Sequence, residues 1–153
     1  MNAPISFDWL FRASNFLVES LRDHSALSVL GTLNAVRDGG RNAFVYAGPT
    51  WFWYEDRDRG PDAEADLLMV ADGTTIIAEV KSSWTGVRKA DIAALGEIAQ
   101  RLRPDVALLA VMDTGREHEG ALEALAAELS AVGIKLQVMT LDTHPLDDDA
   151  YLS

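Results

Sequence analysis

Two acids and a lysine at the centre of the chain have the types and spacing for chemistry. In DLLMVADGTTIIAEVK, residues 66–81, two short apolar runs flank Asp72-Gly73, the strongest short-range signal for a two-residue hairpin turn. With those two residues as the turn, Ala71 faces Thr74, Leu68 faces Ile77, Asp66 faces Glu79 and Glu64 faces Lys81. Directly opposed residues share a face, so Glu64, Asp66, Glu79 and Lys81 fall on one side of the ribbon. Leu67, Met69, Ile76, Ala78 and Val80 fall on the other. Facing carboxylates repel unless something compensates, and a hard divalent cation does so with oxygen ligands, water and phosphate. A lysine on the same face is placed to orient an attacking water or to stabilise charge building on a phosphate. The chemistry implied is phosphodiester hydrolysis. The competing reading is a solvated strand end in which Glu64 and Lys81 form a cross-strand ion pair; it accounts for Lys81 but not for two facing acids.

The elements around the ribbon must hold it. Ser6 is a candidate N-cap for a helix over about 7–23, whose Phe7, Leu10, Phe11, Leu17, Val18 and Leu21 recur at helical spacing. SALSVLGTLNAVRDGG predicts a second, short helix ending at Gly39-Gly40. NAFVYAGPTWFWYEDRD predicts one or two strands interrupted at Gly48-Pro49. After the hairpin and the charged linker TGVRKAD, IAALGEIAQRLR predicts a helix that stops before Pro104. VALLAVMD predicts a buried strand, EGALEALAAELSAVG a helix ended by Gly133, and IKLQVMTLD a last strand. The expected fold is α/β with a mixed sheet, antiparallel early and parallel late, flanked by helices on both faces. The 153 residues are expected to form a single domain, with about 144–153 as an acidic tail.

An Asp in one strand of a hairpin followed in the next by Glu-x-Lys, here Asp66 and Glu79-Val80-Lys81, resembles the PD-(D/E)XK nuclease superfamily. The resemblance implies a restriction-endonuclease-like αβββαβ core from about residue 7 to 113, to which a C-terminal helix and strand are added. It also implies that Asp66 and Glu79 bind Mg²⁺ or Mn²⁺ and that Lys81 assists the attacking water. The literal Pro61-Asp62 lies too far upstream for the turn to bring it opposite Glu79. Many members add an acid from the first helix, for which Glu19 is the candidate, although it sits in the polar face of that helix. Glu64 is a further candidate ligand. The Gln followed four residues later by Tyr that some members carry is incomplete, with Gln100 but Pro104 at that spacing. Contacts to nucleic acid are expected from Ser82, Ser83, Trp84, Arg88, Lys89, Gln100 and Arg103, with Trp84 available to stack on a base or else to pack on the sheet edge.

Charge both limits and locates the partner. The net charge is −11, which argues against generic nucleic-acid binding, yet residues 81–104 carry five basic and two acidic groups while residues 105–153 carry two and ten. The only net-positive stretch starts at Lys81. The partner expected is nucleic acid, DNA before RNA, met through a particular structure or a basic protein partner. Aromatic excess in WFWYEDRDRG points to a homodimer contact, a nucleic-acid platform or a strand covered on both faces. The absence of cysteine removes disulfides and thiolate metal sites, and with no membrane-length apolar run or signal-peptide pattern the expectation is a cytoplasmic protein. His24, His118 and His144 show no metal-ligand spacing and read as surface residues. Two alternatives to the enzyme follow: a catalytically inactive nuclease-fold module that binds protein in genome maintenance or defence, and an acidic DNA mimic acting as a decoy.

Overall fold

Asp72 and Gly73 both adopt positive φ (49° and 85°), the condition for the tight turn whose twist matches that of the flanking strands. The computed structural model describes residues 25–54 and 60–141, and in it this turn joins β4 (Leu67–Ala71) to β5 (Thr74–Lys81). The expected register holds throughout their ladder, from Leu67 opposite Ala78 to Ala71 opposite Thr74. The Asp72 carboxylate also accepts backbone N–H bonds from Arg41 (2.6 Å), Asn42 (2.9 Å) and Ala43 (2.9 Å). It thereby ties the hairpin tip to the connection between α1 (Ser25–Gly39) and β1 (Phe44–Ala47).

Before the hairpin lie β2 (Thr50–Phe52) and β3 (Ala63–Ala65). After it come a 3₁₀ turn at Trp84–Gly86, α2 (Lys89–Leu102), β6 (Val106–Val111), α3 (Glu119–Ser130) and β7 (Lys135–Thr140). The main sheet has the order β1-β4-β5-β6-β7, antiparallel through β1, β4 and β5 and parallel through β5, β6 and β7. Each parallel step contains a helix, as a crossover requires. β6 is buried from Ala107 to Val111 because both of its faces are covered. On one face Ala107, Leu109 and Val111 join the core of α2 and α3. On the other, Leu108 and Ala110 join Leu67, Met69, Ala78 and Val80 beneath Val29, Leu33 and Val36 of α1. α2 and α3 meet closely at Gly96, where a Cβ would lie 2.5 Å from Leu125 Cδ1.

The mixed α/β sheet with helices on both faces agrees with expectation, as do the elements from Ser25 to Thr140. The expected helix over 7–23, Glu19 and the tail from 144 lie outside the described residues. One expectation is corrected: β4 begins at Leu67 and does not continue back to place Asp66 opposite Glu79 or Glu64 opposite Lys81. The chain bends at Asp66, and β3 pairs with β2 in a separate antiparallel ribbon that sets Glu64 opposite Trp51. Gly48-Pro49 separates β1 from β2, which pairs with β3 from Thr50 onwards.

Three backbone bonds hold the Asp72 carboxyl below the usual carboxylate range, the bond from Arg41 being the largest contribution. A depressed folded pKa gives stability that is present above the unfolded pKa of about 3.9 and lost as pH falls through the folded value. Asp72→Asn, which still tolerates positive φ, is expected to lower the urea midpoint at pH 7, with the gap to wild type closing near pH 3. A gap of equal size at both pH values would refute the assignment.

Candidate active site

β5 outruns its antiparallel partner. Its ladder with β4 ends at Ala78, whereas its ladder with β6 continues to Lys81 opposite Val111. The bend at Asp66 leaves the β4-side edge of the last residues of β5 without a strand. The Val80 N–H on that edge donates instead to Asp66 Oδ2 at 2.7 Å. A strand bond is thus replaced by a side-chain bond that fixes the Asp66 carboxylate across the end of β5. Glu79 and Lys81, two residues apart, project on the α2 side of the sheet, and Lys81 Nζ meets Glu79 Oε1 at 2.6 Å.

α2 adds a residue that sequence reasoning passed over. Asp91 lies in its first turn, 9% exposed, with Oδ1 4.0 Å from Lys81 Nζ. Arg88 clamps it: the Arg88 backbone N–H (2.8 Å) and Nε (3.1 Å) reach Oδ2, and Nη2 reaches Oδ1 at 2.9 Å. A signal was present, because an acid three residues after a helix N-cap forms the return half of a capping box. The residue at the cap is Arg88, a type that rarely marks a helix start, so RKAD read as linker.

Asp66, Glu79 and Asp91 all act on the Lys81 ammonium, and Arg88 brings a second cation to Asp91. Burial pushes Asp66 and Glu79 above the usual carboxylate range; bonds from Val80 and Lys81 only partly offset it, and Asp66 adds repulsion on Glu79. Burial works against the Lys81 charge, but Glu79, Asp91 and Asp66 more than restore it, so its pKa is raised. The partners in the Lys81–Glu79 pair shift in the same direction for different reasons: burial raises the Glu79 carboxyl, while the neighbouring carboxylates raise Lys81. Asp91 alone is lowered, chiefly by its bond from the Arg88 side chain.

Asp66, Glu79 and Lys81 lie near enough to act on one another's charge, but Asp66 stands at the bend before β4 and not opposite Glu79 in the ladder. Glu64 stands exposed on β3 two residues from Asp66, close enough for its charge to raise the Asp66 pKa. Arg88 is committed to Asp91, and Lys89 is exposed at the start of α2. Ser82 is exposed, and Ser83 Oγ is 2.9 Å from Thr85 Oγ1. Trp84 is corrected outright: at 2% exposure it is packed in the core with Val87 and Ile92, and it presents no face to a base. Gln100 lies nine residues along α2 from Asp91, about 13 Å away along the axis. Arg103 caps the far end of α2 and lines a groove with Thr75 and Ile76, roughly 20 Å along β5 from Lys81. Neither Gln100 nor Arg103 joins the cluster. His118 is half-buried rather than a surface residue, its Nε2 2.9 Å from the Val87 carbonyl.

Among the described residues no three His, Cys, Asp or Glu side chains form a group able to hold a metal ion by themselves. The donor chemistry of Asp66 and Glu79 fits a more open arrangement, a hard divalent ion on two carboxylates with water and substrate completing its shell. Among the same residues no helix is long and apolar enough to cross a membrane. No protein-family model matches the chain, and neither a curated protein nor a solved structure matches it significantly.

A raised carboxyl pKa contributes stability that is full below the unfolded pKa, about 4, and is lost as pH rises through the folded value. Asp66→Asn removes that titration while keeping an acceptor for Val80. Its melting temperature is expected to exceed that of wild type at pH 8, the advantage shrinking towards pH 4.5. A variant less stable than wild type at pH 8 would show that the Asp66 charge is well compensated.

Proposed function

We propose that this protein is a metal-dependent phosphodiesterase of the PD-(D/E)XK kind, cutting nucleic acid, DNA in preference to RNA. The observation that carries the reading is the convergence of Asp66, Glu79 and Lys81 at the open end of β5. The order α1, β1, β4, β5, α2, β6 supports it, because it follows the αβββαβ core of restriction-endonuclease-like folds, with β2–β3 as an insertion in the meander.

Asp66 and Glu79 would hold Mg²⁺ or Mn²⁺. When bound, the ion supplies positive charge that activates water and neutralises the scissile phosphate. Asp66 is preset for this task by Val80, since its carboxylate is anchored before any ligand arrives. Lys81 is held between Glu79 and Asp91, which limits its rotamers and aims its Nζ at the space beside the acids. From there it orients the attacking water and stabilises charge on the phosphate, while Asp91 acts through Lys81 as a positioning residue. Exposed Lys89 and the guanidinium of Arg88 at the α2 N-terminus supply local attraction for the backbone.

One observation favours a second reading, a nuclease-like module that binds protein and does not cut. The Glu79–Lys81–Asp91–Arg88 pairs satisfy one another directly, as a structural network would.

Cleavage of labelled single-stranded, duplex and branched DNA and RNA, with Mg²⁺ or Mn²⁺ and with chelator, separates the two. Metal-dependent cutting is expected, reduced about 10²-fold or more in Lys81→Ala. No cutting on any substrate, with no Mn²⁺ binding that Asp66→Asn abolishes, would establish the module instead.

A further inference from the structure

The β2–β3 ribbon divides its aromatic residues cleanly between two faces. Phe52 packs against the core of α2 and α3, and the Tyr54 ring lies under the Arg101 guanidinium, 4.0 Å from centroid to Cζ. Trp51 and Trp53 point the other way, 57% and 37% exposed, and meet edge to face with centroids 6.4 Å apart. Trp51 is directly opposite Glu64, which is two residues from Asp66. The backbones of Trp51 and Asp66 are therefore roughly 10 Å apart, counted as one strand spacing and two residues of extended chain.

We infer that Trp51 and Trp53 form a stacking platform for unpaired bases, and that the substrate of the neighbouring site is single-stranded nucleic acid or a frayed end. This rests on the phosphodiesterase reading for the chemistry but not for the binding. Indole faces stack on any base, whereas bases inside a duplex are already stacked and cannot reach them. Charge points to bases rather than phosphates as the occupant: Glu64 beside Trp51 repels a phosphate but not the neutral face of a base. A protein partner fits less well. Together the two indoles expose about the area of one whole tryptophan side chain, up to about 250 Å², against about 800 Å² per partner in a standard interface.

The test is fluorescence anisotropy in low-salt buffer with chelator, using a labelled 16-nucleotide oligothymidylate, an abasic strand of equal length, oligouridylate and a duplex. Trp51→Ala and Trp53→Ala are expected each to weaken oligothymidylate binding about tenfold, Trp51→Phe much less, and neither to alter binding of the abasic strand. Wild type is expected to prefer both oligothymidylate and oligouridylate over the abasic strand and the duplex, because an indole face stacks on either base. Equal losses on the base-bearing and abasic strands, or no measurable binding to any strand, would overturn the inference. So would a change in sedimentation coefficient in Trp51→Ala without base-dependent binding, which would make this face a protein interface. The two readings fail separately. Base-dependent binding without metal-dependent cutting removes the enzyme and keeps the platform, whereas cutting with Trp51-independent binding removes the platform and keeps the enzyme.

Discussion

The register of the β4–β5 hairpin is the constraint on which the rest depends. Side chains alternate along a strand, so a slip of one residue would send Asp66, Glu79 and Lys81 into the apolar layer beneath α1 and bring Val80 and Ala78 to the α2 side. Three features oppose that slip. The Asp72-Gly73 turn supplies the positive φ that a two-residue loop needs. The Asp72 carboxylate collects three N–H groups from the α1–β1 connection, so moving the turn would strand those donors. Both faces of the ladder are also committed to different cores, one under α1 and one under α2 and α3.

This is why the hairpin was legible in the sequence. Its turn chemistry and alternation point to one register, which the ladder from Leu67 opposite Ala78 to Ala71 opposite Thr74 follows, while the counted pairing of Asp66 with Glu79 stops short at the bend. The remaining helices and strands were legible for a related reason: strong periodicity bounded by glycine or proline, as at Gly39-Gly40, Pro104 and Gly133. What the counting missed depends on contacts distant in sequence. At the bend of Asp66 the chain passes from β3, paired with β2, to β4, paired with β5, an exchange of partners set between segments and not within either. Asp91 and Lys81 are ten residues apart, and only the turn at Trp84–Gly86 brings the α2 N-terminus back beside β5. Trp84, which follows the lysine so closely, looked free to serve a ligand; it fills the core at that turn.

The bend shows how one local break builds a site. If β4 continued, Val80 would bond to backbone and Glu64 would sit opposite Lys81 as an ordinary cross-strand ion pair. With β4 cut short at Leu67, the Val80 N–H turns to a side chain, the Asp66 carboxylate is held at 2.7 Å, and Glu64 is carried away to the ribbon. The cost is electrostatic. Asp66 and Glu79 are partly buried, and burial raises both carboxyls more than Val80 and Lys81 lower them.

A chain of net charge −11 must still approach a polyanion if this reading holds. Long-range attraction cannot deliver it, because the field of the whole surface repels phosphate at distances set by the Debye length, about 8 Å at physiological salt. Within that distance the balance changes. Lys89 and Arg88 stand at the α2 N-terminus, whose backbone N–H groups add partial positive charge of their own. A cation at Asp66 and Glu79 would add more, and it would cancel the charge that otherwise faces the scissile bond. The ribbon supplies contact area that carries no charge: Trp51 and Trp53 gain free energy from the flat face of a base and need no counterion release. A nucleic acid whose bases are unpaired can use all three sources, whereas a long duplex meets the acidic surface with phosphates foremost. Under that reading the acidic composition would disfavour the double helix and favour strands that can trade electrostatic repulsion for stacking.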